Sequence, residues 1–391
     1  MFALCSTGFL TYLIYDHVTR VNPQYSRYPP EVAELLRRAV YYTEIDLSPP
    51  LALKWYKQAL IVADQLDMHP FSDEVLGIRL SIAMMLEKAG LVKAAIEILE
   101  KSQADCQAWV ENGRRRQMIR DRERAGKATS GTVDRDPDQA ELGQEIRKTE
   151  EKDDQLRDTI MKKVVGMGIK LAELYSSDYV RDIEKAEKAL VNSVNTSVAE
   201  LQRRRDLKLP VSKESGDTFI NLTEIATAYS ELACLYSKQN KRELAATLYM
   251  HALGLIKEEE GKSTTCAQVV LLNNVSSQMA EQVQNLDLSP TSTQELHGPP
   301  MSRDQLLDAA AQWAKKALDV AAHIKPPTRD EDCDLACQIA TYNLGEIAEM
   351  QGNFEEARRY FKEARNLAMR INFEEGIARA GDALKRLKNR T

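Results

Sequence analysis

The side chains able to do covalent or acid–base chemistry are scattered along this chain rather than clustered. Five histidines (His17, His69, His251, His297 and His323) stand far apart. No HExxH, GxSxG or paired Cys/His signature joins them. The string Gly261-Lys262-Ser263-Thr264 has the end of a phosphate-binding loop, but that loop needs a glycine five residues earlier, where Ile256 stands. Six cysteines (Cys5, Cys106, Cys234, Cys266, Cys333 and Cys337) are spread through the chain, unlike the dense framework of a small secreted domain. Cys333 and Cys337 lie four apart, which puts both on one helical face. With no second pair to complete a zinc site, they read as two buried or reduced thiols. Catalytic residues, metal ligands and cofactor-binding residues are therefore expected to be none, and the chain is expected not to be an enzyme.

What remains is chemistry of recognition. Asn273, Asn274, Ser277, Ile339, Tyr342, Asn343, Glu346 and Met350 recur at spacings that place them along helices. An asparagine amide both donates and accepts, so Asn274 and Asn343 can grip an extended peptide backbone without reading its side chains. The same amides can equally bridge neighbouring helices, and the sequence leaves both uses open.

The elements that must position these residues are helices. Apolar residues make up 43% of the 391, charged residues 29%, and glycine (17) and proline (13) are sparse, a balance that favours soluble helical structure. The net charge of -6 lacks the basic surplus of a nucleic-acid binder, so no nucleic-acid partner is expected.

Units of about 34 residues, the length of a tetratricopeptide (TPR) unit of two antiparallel helices, recur at irregular spacing, so insertions are expected in several turns and at repeat junctions. Such a unit needs small residues at positions 8, 20 and 27, and a large one at 24, where the helices cross. Counted from Gln338, Gly345, Ala357, Phe361 and Ala364 fill those positions in turn. Counted from Ala226, they are Ala233, Ala245, Tyr249 and Ala252. Weaker copies place Ala52, Tyr56 and Ala59 in a first unit, and Ala83, Ala95 and Leu99 in a second. Ala172, Ala186 and Leu190 form a third, given two extra residues in the turn SSDYVRD. VVLLNNVSSQMAEQ and LLDAAAQWAKKALDVA, split by a long loop, form another.

The expected fold is an all-α, right-handed TPR α-solenoid of about six helix-turn-helix repeats with a C-terminal capping helix over 373–388. Residues 31–110 hold repeats 1–2, and 158–391 hold repeats 3–6 with an inserted Pro/Ser/Thr loop at 283–302. Residues 111–157 are almost free of large apolar side chains and read as a charged, mobile linker with room for a helix extension at each end. Residues 1–20 contain the uncharged run FALCSTGFLTYLIY, expected to be the tail of a membrane anchor or an apolar helix packed on the array. In TPR proteins the first helices of the units line a concave groove through positions 2, 5, 6, 9, 12 and 13, which selects the eight residues named above.

The stretch RYPPEVAELLRRAVYYTEIDLSPPLALKWYKQALIVADQLDMHPFSDEVLGIRLSIAMMLEKAG, just after the apolar segment, resembles the fungal TPR adaptor subunit of the mitochondrial i-AAA protease complex. The likeness is best over about residues 10–110. It implies an inner-membrane anchor, a TPR domain facing the intermembrane space, and i-AAA protease subunits and unfolded protein substrates as partners. The protease would then supply all catalysis. A TPR scaffold or assembly factor for another multiprotein complex is the alternative.

Overall fold

The computed structural model describes residues 25–129, 137–211, 219–261, 263–286 and 301–388. Among these residues there are thirteen α-helices and no strand. In chain order they are α1 (Pro30–Glu44), α2 (Pro49–Gln65), α3 (Asp73–Lys88), α4 (Val92–Thr129), α5 (Pro137–Ser176), α6 (Ile183–Asp206) and α7 (Leu222–Lys238). Then follow α8 (Arg242–Glu260), α9 (Cys266–Leu286), α10 (Arg303–His323), α11 (Glu331–Met350), α12 (Phe354–Arg370) and α13 (Glu374–Lys388). The chain divides into two compact units, Met1–Ala189 and Leu190–Thr391, with the boundary inside α6.

The small and large residues of the repeat do the packing assigned to them. Ala52, Ala59, Ala95, Ala186, Ala233, Ala245, Ala252, Ala357 and Ala364 are fully buried, as is the large Phe361, while Tyr56, Leu99 and Tyr249 are nearly so. Burying each large side chain contributes about 1.5–3 kcal/mol. Alanine opposite it lets the two helix backbones approach. Where position 8 is Ser276, its Oγ donates to the Ala310 carbonyl at 2.7 Å, so the small residue is polar but satisfied.

One turn closes three of the pairs. Gly90 and Gly352 have φ of +76° and +82°, and Asn240 takes the same position with φ of +61°. The next residue's N–H then reaches back five residues, as Leu91 to Leu86, Lys241 to Tyr236 and Asn353 to Ala348. This is the Schellman closure, which needs a left-handed residue and so selects glycine or asparagine. In the third pair the corresponding bond runs from Asp182 to Tyr175. It spans seven residues, so the two additional residues read from SSDYVRD are accommodated there.

Helix starts are written in side chains. Asn221 with Glu224, and Ser302 with Gln305, form reciprocal capping boxes, and Ser72 and Asp330 cap α3 and α11. At the other end of the chain α13 buries Ala380, Ala383 and Leu387 against Phe361 and Ala357. It begins one residue later than expected and covers the last repeat as anticipated.

The expected linker at 111–157 needs correction. Its described parts continue α4 to Thr129 and begin α5 at Pro137. The two helices run antiparallel: Gln103 donates to the Val164 carbonyl at 2.9 Å, Arg114 pairs with Asp158 at 3.5 Å, and Gln117 donates to Asp154 at 2.8 Å. Arg157 is buried, ion-paired to Asp154, and lies 5.7 Å from the Trp109 ring. Composition misled here because apolar burial is not the sole source of helical order. Strong helix formers and interhelical charge pairs carry these arms out from a packed base at Val110 and Ile160. The loop at 283–302 begins in α9, which continues to Leu286; residues 287–300 lie outside the described residues, as do residues 1–20.

Candidate functional site

In the second unit α9 and α11 pack side by side, and they carry all eight residues singled out from the sequence. The amide of Asn343 donates both hydrogens inward, to Asn273 Oδ1 at 3.0 Å and Ser277 Oγ at 2.8 Å. Asn273 is 4% exposed. Of the two uses left open, bridging between helices is the one these three residues serve. Asn274 is half-buried and has no hydrogen-bond partner among the described residues. The Tyr342 hydroxyl donates to Glu346 at 3.1 Å, and its ring lies 5.2 Å from that of Phe361. Burial pushes the Tyr342 phenol up to about 12 and raises the Glu346 carboxyl as well. Met350 packs on the cluster of Ala280, Val283, Leu306 and Leu307, and Ile339 is half-buried.

This arrangement separates stability from binding. Asn343→Ala leaves Asn273 and Ser277 without their partner, and is expected to cost about 1–3 kcal/mol in a urea or thermal melt. Asn274→Ala should leave the melt unchanged. Equal, negligible effects would show that the bridge contributes nothing.

A further concavity lies in the first unit, which the sequence had not singled out. A groove of about 1010 Å³ runs over α1, α3 and α5. From α3 it is lined by Leu80, Ser81, Met84, Glu87 and Lys88. Counted from Leu76, these are positions 5, 6, 9, 12 and 13 of the second repeat, the groove positions of a TPR unit. On the α5 side Gly166 leaves a gap: a Cβ there would meet nothing within 4 Å. The floor includes Tyr56, whose hydroxyl is 3.3 Å from that of Thr43. Thr43 Oγ1 itself donates to the Ala39 carbonyl, so the tyrosine supplies the proton between the two. Met84 is 65% and Tyr179 72% exposed at the rim, a large outlay of apolar surface to water.

The charges on the groove are largely paired. Lys88, Lys162, Lys163 and Lys170 line it against Glu44 and Glu87. Lys88 pairs with Glu44 from α3 to α1, and Lys170 pairs with Glu87 from α5 to α3 at 2.8 Å. Lys163 pairs with Asp73 outside the lining at 2.7 Å. The helices forming the groove are thus tied across it by partly exposed ion pairs, each worth under about 1 kcal/mol. The signal was present in the sequence, in the groove positions of the weak second repeat. Choosing the best-matching repeats first passed over it.

The cysteines also need correction. Cys333 forms a disulfide with Cys266, 67 residues away, and not a thiol pair with Cys337. The bond joins the first residue of α9 to the first turn of α11, with Cα atoms 4.9 Å apart. Cys337 is free and buried; burial raises its thiol, and an Arg329 nitrogen lies 3.7 Å from its sulfur. Burial likewise pushes the free Cys106 thiol up to about 11. Among the described residues no helix is long and apolar enough to cross a membrane.

Comparison with known proteins agrees with the repeat register. The family model for the tetratricopeptide repeat matches residues 225–263, which span α7 and α8. One tetratricopeptide repeat is thus matched, within a chain whose described residues form helices and no strand. A TPR repeat-containing protein of Schizosaccharomyces pombe is 26% identical over 159 residues, amounting to 41% of this chain and 40% of the relative. The matched segment thus spans about two fifths of that curated relative. Among solved structures, BtubC (BKLC) from P. vanneervenii is 15% identical, with 87% of this chain and 92% of that one covered and a TM-score of 0.47. The TPR2AB domain of yeast Sti1 is 11% identical, covering 92% and 98%, with a TM-score of 0.28.

Proposed function

We propose that this chain is a non-enzymatic protein-binding adaptor that holds an extended segment of a partner in the groove over α1, α3 and α5. The observation that carries the reading is the groove itself: an apolar floor with exposed Met84 at its rim. Such a surface suits an apolar stretch offered by a chain that is not fully folded. We further propose the setting implied by the resemblance of residues 10–110. The protein is anchored at the mitochondrial inner membrane with its repeats in the intermembrane space, and brings unfolded or membrane protein substrates to the i-AAA protease. The Cys266–Cys333 disulfide supports a compartment that permits disulfides.

Two substitutions test the groove without disturbing the core. Gly166→Trp fills the gap on α5, where a side chain meets open space, and Met84→Glu places a charge on the exposed rim. Each is expected to weaken binding of a labelled apolar peptide at least tenfold in fluorescence anisotropy, which is about 1.4 kcal/mol, with the melt unchanged. Undiminished binding in both variants would remove the groove from the proposal. The setting is tested by purifying the tagged protein from mitochondria in mild detergent. Co-purification of an AAA protease supports the adaptor; a stable complex lacking any protease supports the assembly-factor alternative.

A further inference from the structure

We propose that the starts of α9 and α11 form a zinc site that exists only when the Cys266–Cys333 bond is reduced, with Cys266, Cys333 and Asp330 as protein ligands. The two sulfurs and a carboxylate oxygen of Asp330 all lie within 4.8 Å of one another. Two thiolates on one zinc sit about 3.8 Å apart, given Zn–S near 2.3 Å and tetrahedral angles. Opening the S–S bond to that spacing requires only a small movement of two helix ends. Asp330 is already oriented: as the N-cap of α11, its Oδ1 accepts from the Cys333 N–H at 2.9 Å. That bond leaves its second oxygen for a metal, and a fixed carboxylate is the kind of ligand a metal site needs. The side chain is exposed, so water has access to the fourth position.

The neighbouring cation does not compete. Arg329 is held by Asp334 at 2.6 Å and by the Ala321 carbonyl at 2.8 Å, which directs its guanidinium away from Asp330. The Thr328 carbonyl lies 3.6 Å from the Cys266 sulfur. Two thiolates and one carboxylate against Zn²⁺ leave a single negative charge, tolerable at a half-open site.

The interconversion balances. A dithiol reductant passes two electrons and two protons to the disulfide and itself becomes a disulfide; zinc binding then displaces the two thiol protons. In the reverse direction hydrogen peroxide accepts two electrons from the thiolates and leaves as two hydroxide ions, which the buffer protonates to water. The sulfurs rejoin and zinc is released. One position thus has two exclusive states, a covalent staple and a metal clip, each fastening α9 to α11.

Cobalt(II) is the probe. The full chain is reduced with a phosphine, titrated with Co²⁺, and followed by absorption spectroscopy and circular dichroism. One equivalent of tetrahedral Co²⁺ with a thiolate charge-transfer band is expected from the reduced chain, and none from the unreduced chain. Zinc should displace it. Cys266→Ser should abolish the band, Cys337→Ser should keep it, and Asp330→Asn should weaken binding at least tenfold while the band persists at higher cobalt. A reduced, helical chain without the band overturns the proposal. So does a band unchanged in Cys266→Ser, or a reduced chain that loses helicity and does not regain it with metal.

Discussion

Gly345→Trp is expected to unfold the last helical pair of the chain and its capping helix while leaving the first unit intact. A Cβ at position 345 would fall 2.6 Å from Phe361 Cε1 and 2.7 Å from its Cδ1, closer than carbon atoms pack. Phe361 is fully buried among Ala348, Ala357, Ala383 and Leu387, so its ring has no room to retreat. Alanine at 345 should already cost about 1–3 kcal/mol through overpacking. An indole must expel the ring or separate α11 from α12. Hydrogen exchange provides the readout: protection should vanish over 331–388 and persist over 30–110. The strain is local, so shrinking its partner should relieve it. Gly345→Ala with Phe361→Leu is expected to be more stable than the sum of the two single changes. Native protection in Gly345→Trp would mean that positions 8 and 24 do not face each other, and the repeat register would fall with them.

That register is what the sequence made most legible. Alanine at positions 20 and 27, with a large residue at 24, recurs because each unit must solve the same crossing, so spacing alone located Tyr56, Tyr249 and Phe361 in the core. The turns are only partly legible: glycine or asparagine takes the left-handed position at Gly90, Asn240 and Gly352, whereas Asp67, Arg181 and Lys208 take it elsewhere. Three features were not legible. The long arms of α4 and α5 are held by pairs such as Gln117 with Asp154, joining residues 37 apart whose composition reads as solvated. The groove of the first unit owes its depth to a missing side chain at Gly166, and emptiness leaves no periodic signal. Asn343 was placed on the correct helix, but whether its amide faces a ligand or Asn273 depends on the distance between two helices, which no one-dimensional pattern contains.

Breaking the Cys266–Cys333 bond should produce a large loss of stability, and it should be confined to the second unit. The bond closes a segment of 67 residues containing all of α9 and α10. In the chain-entropy account, constraining a loop of that length in the unfolded state is worth about 4 kcal/mol. For a unit of this size that corresponds to a fall of roughly 10 °C in the melting temperature. The native pairing is not left to the bond alone: Asn343 bridges to Asn273 and Ser277 farther along the same helices, and Val269, Leu272 and Ala340 pack between them. Helix content should therefore survive at room temperature, and the loss should appear on heating. Calorimetry of Cys266→Ser, Cys333→Ser and Cys337→Ser separates the pairings. The first two should fall together by the full amount, and Cys337→Ser by a fraction of it, since that thiol supplies packing without a crosslink. Equal losses from all three would contradict the crosslink from Cys266. If zinc takes the place of the bond, adding it to the reduced wild-type chain should recover much of the lost stability by mass action. Adding it to Cys266→Ser should recover none.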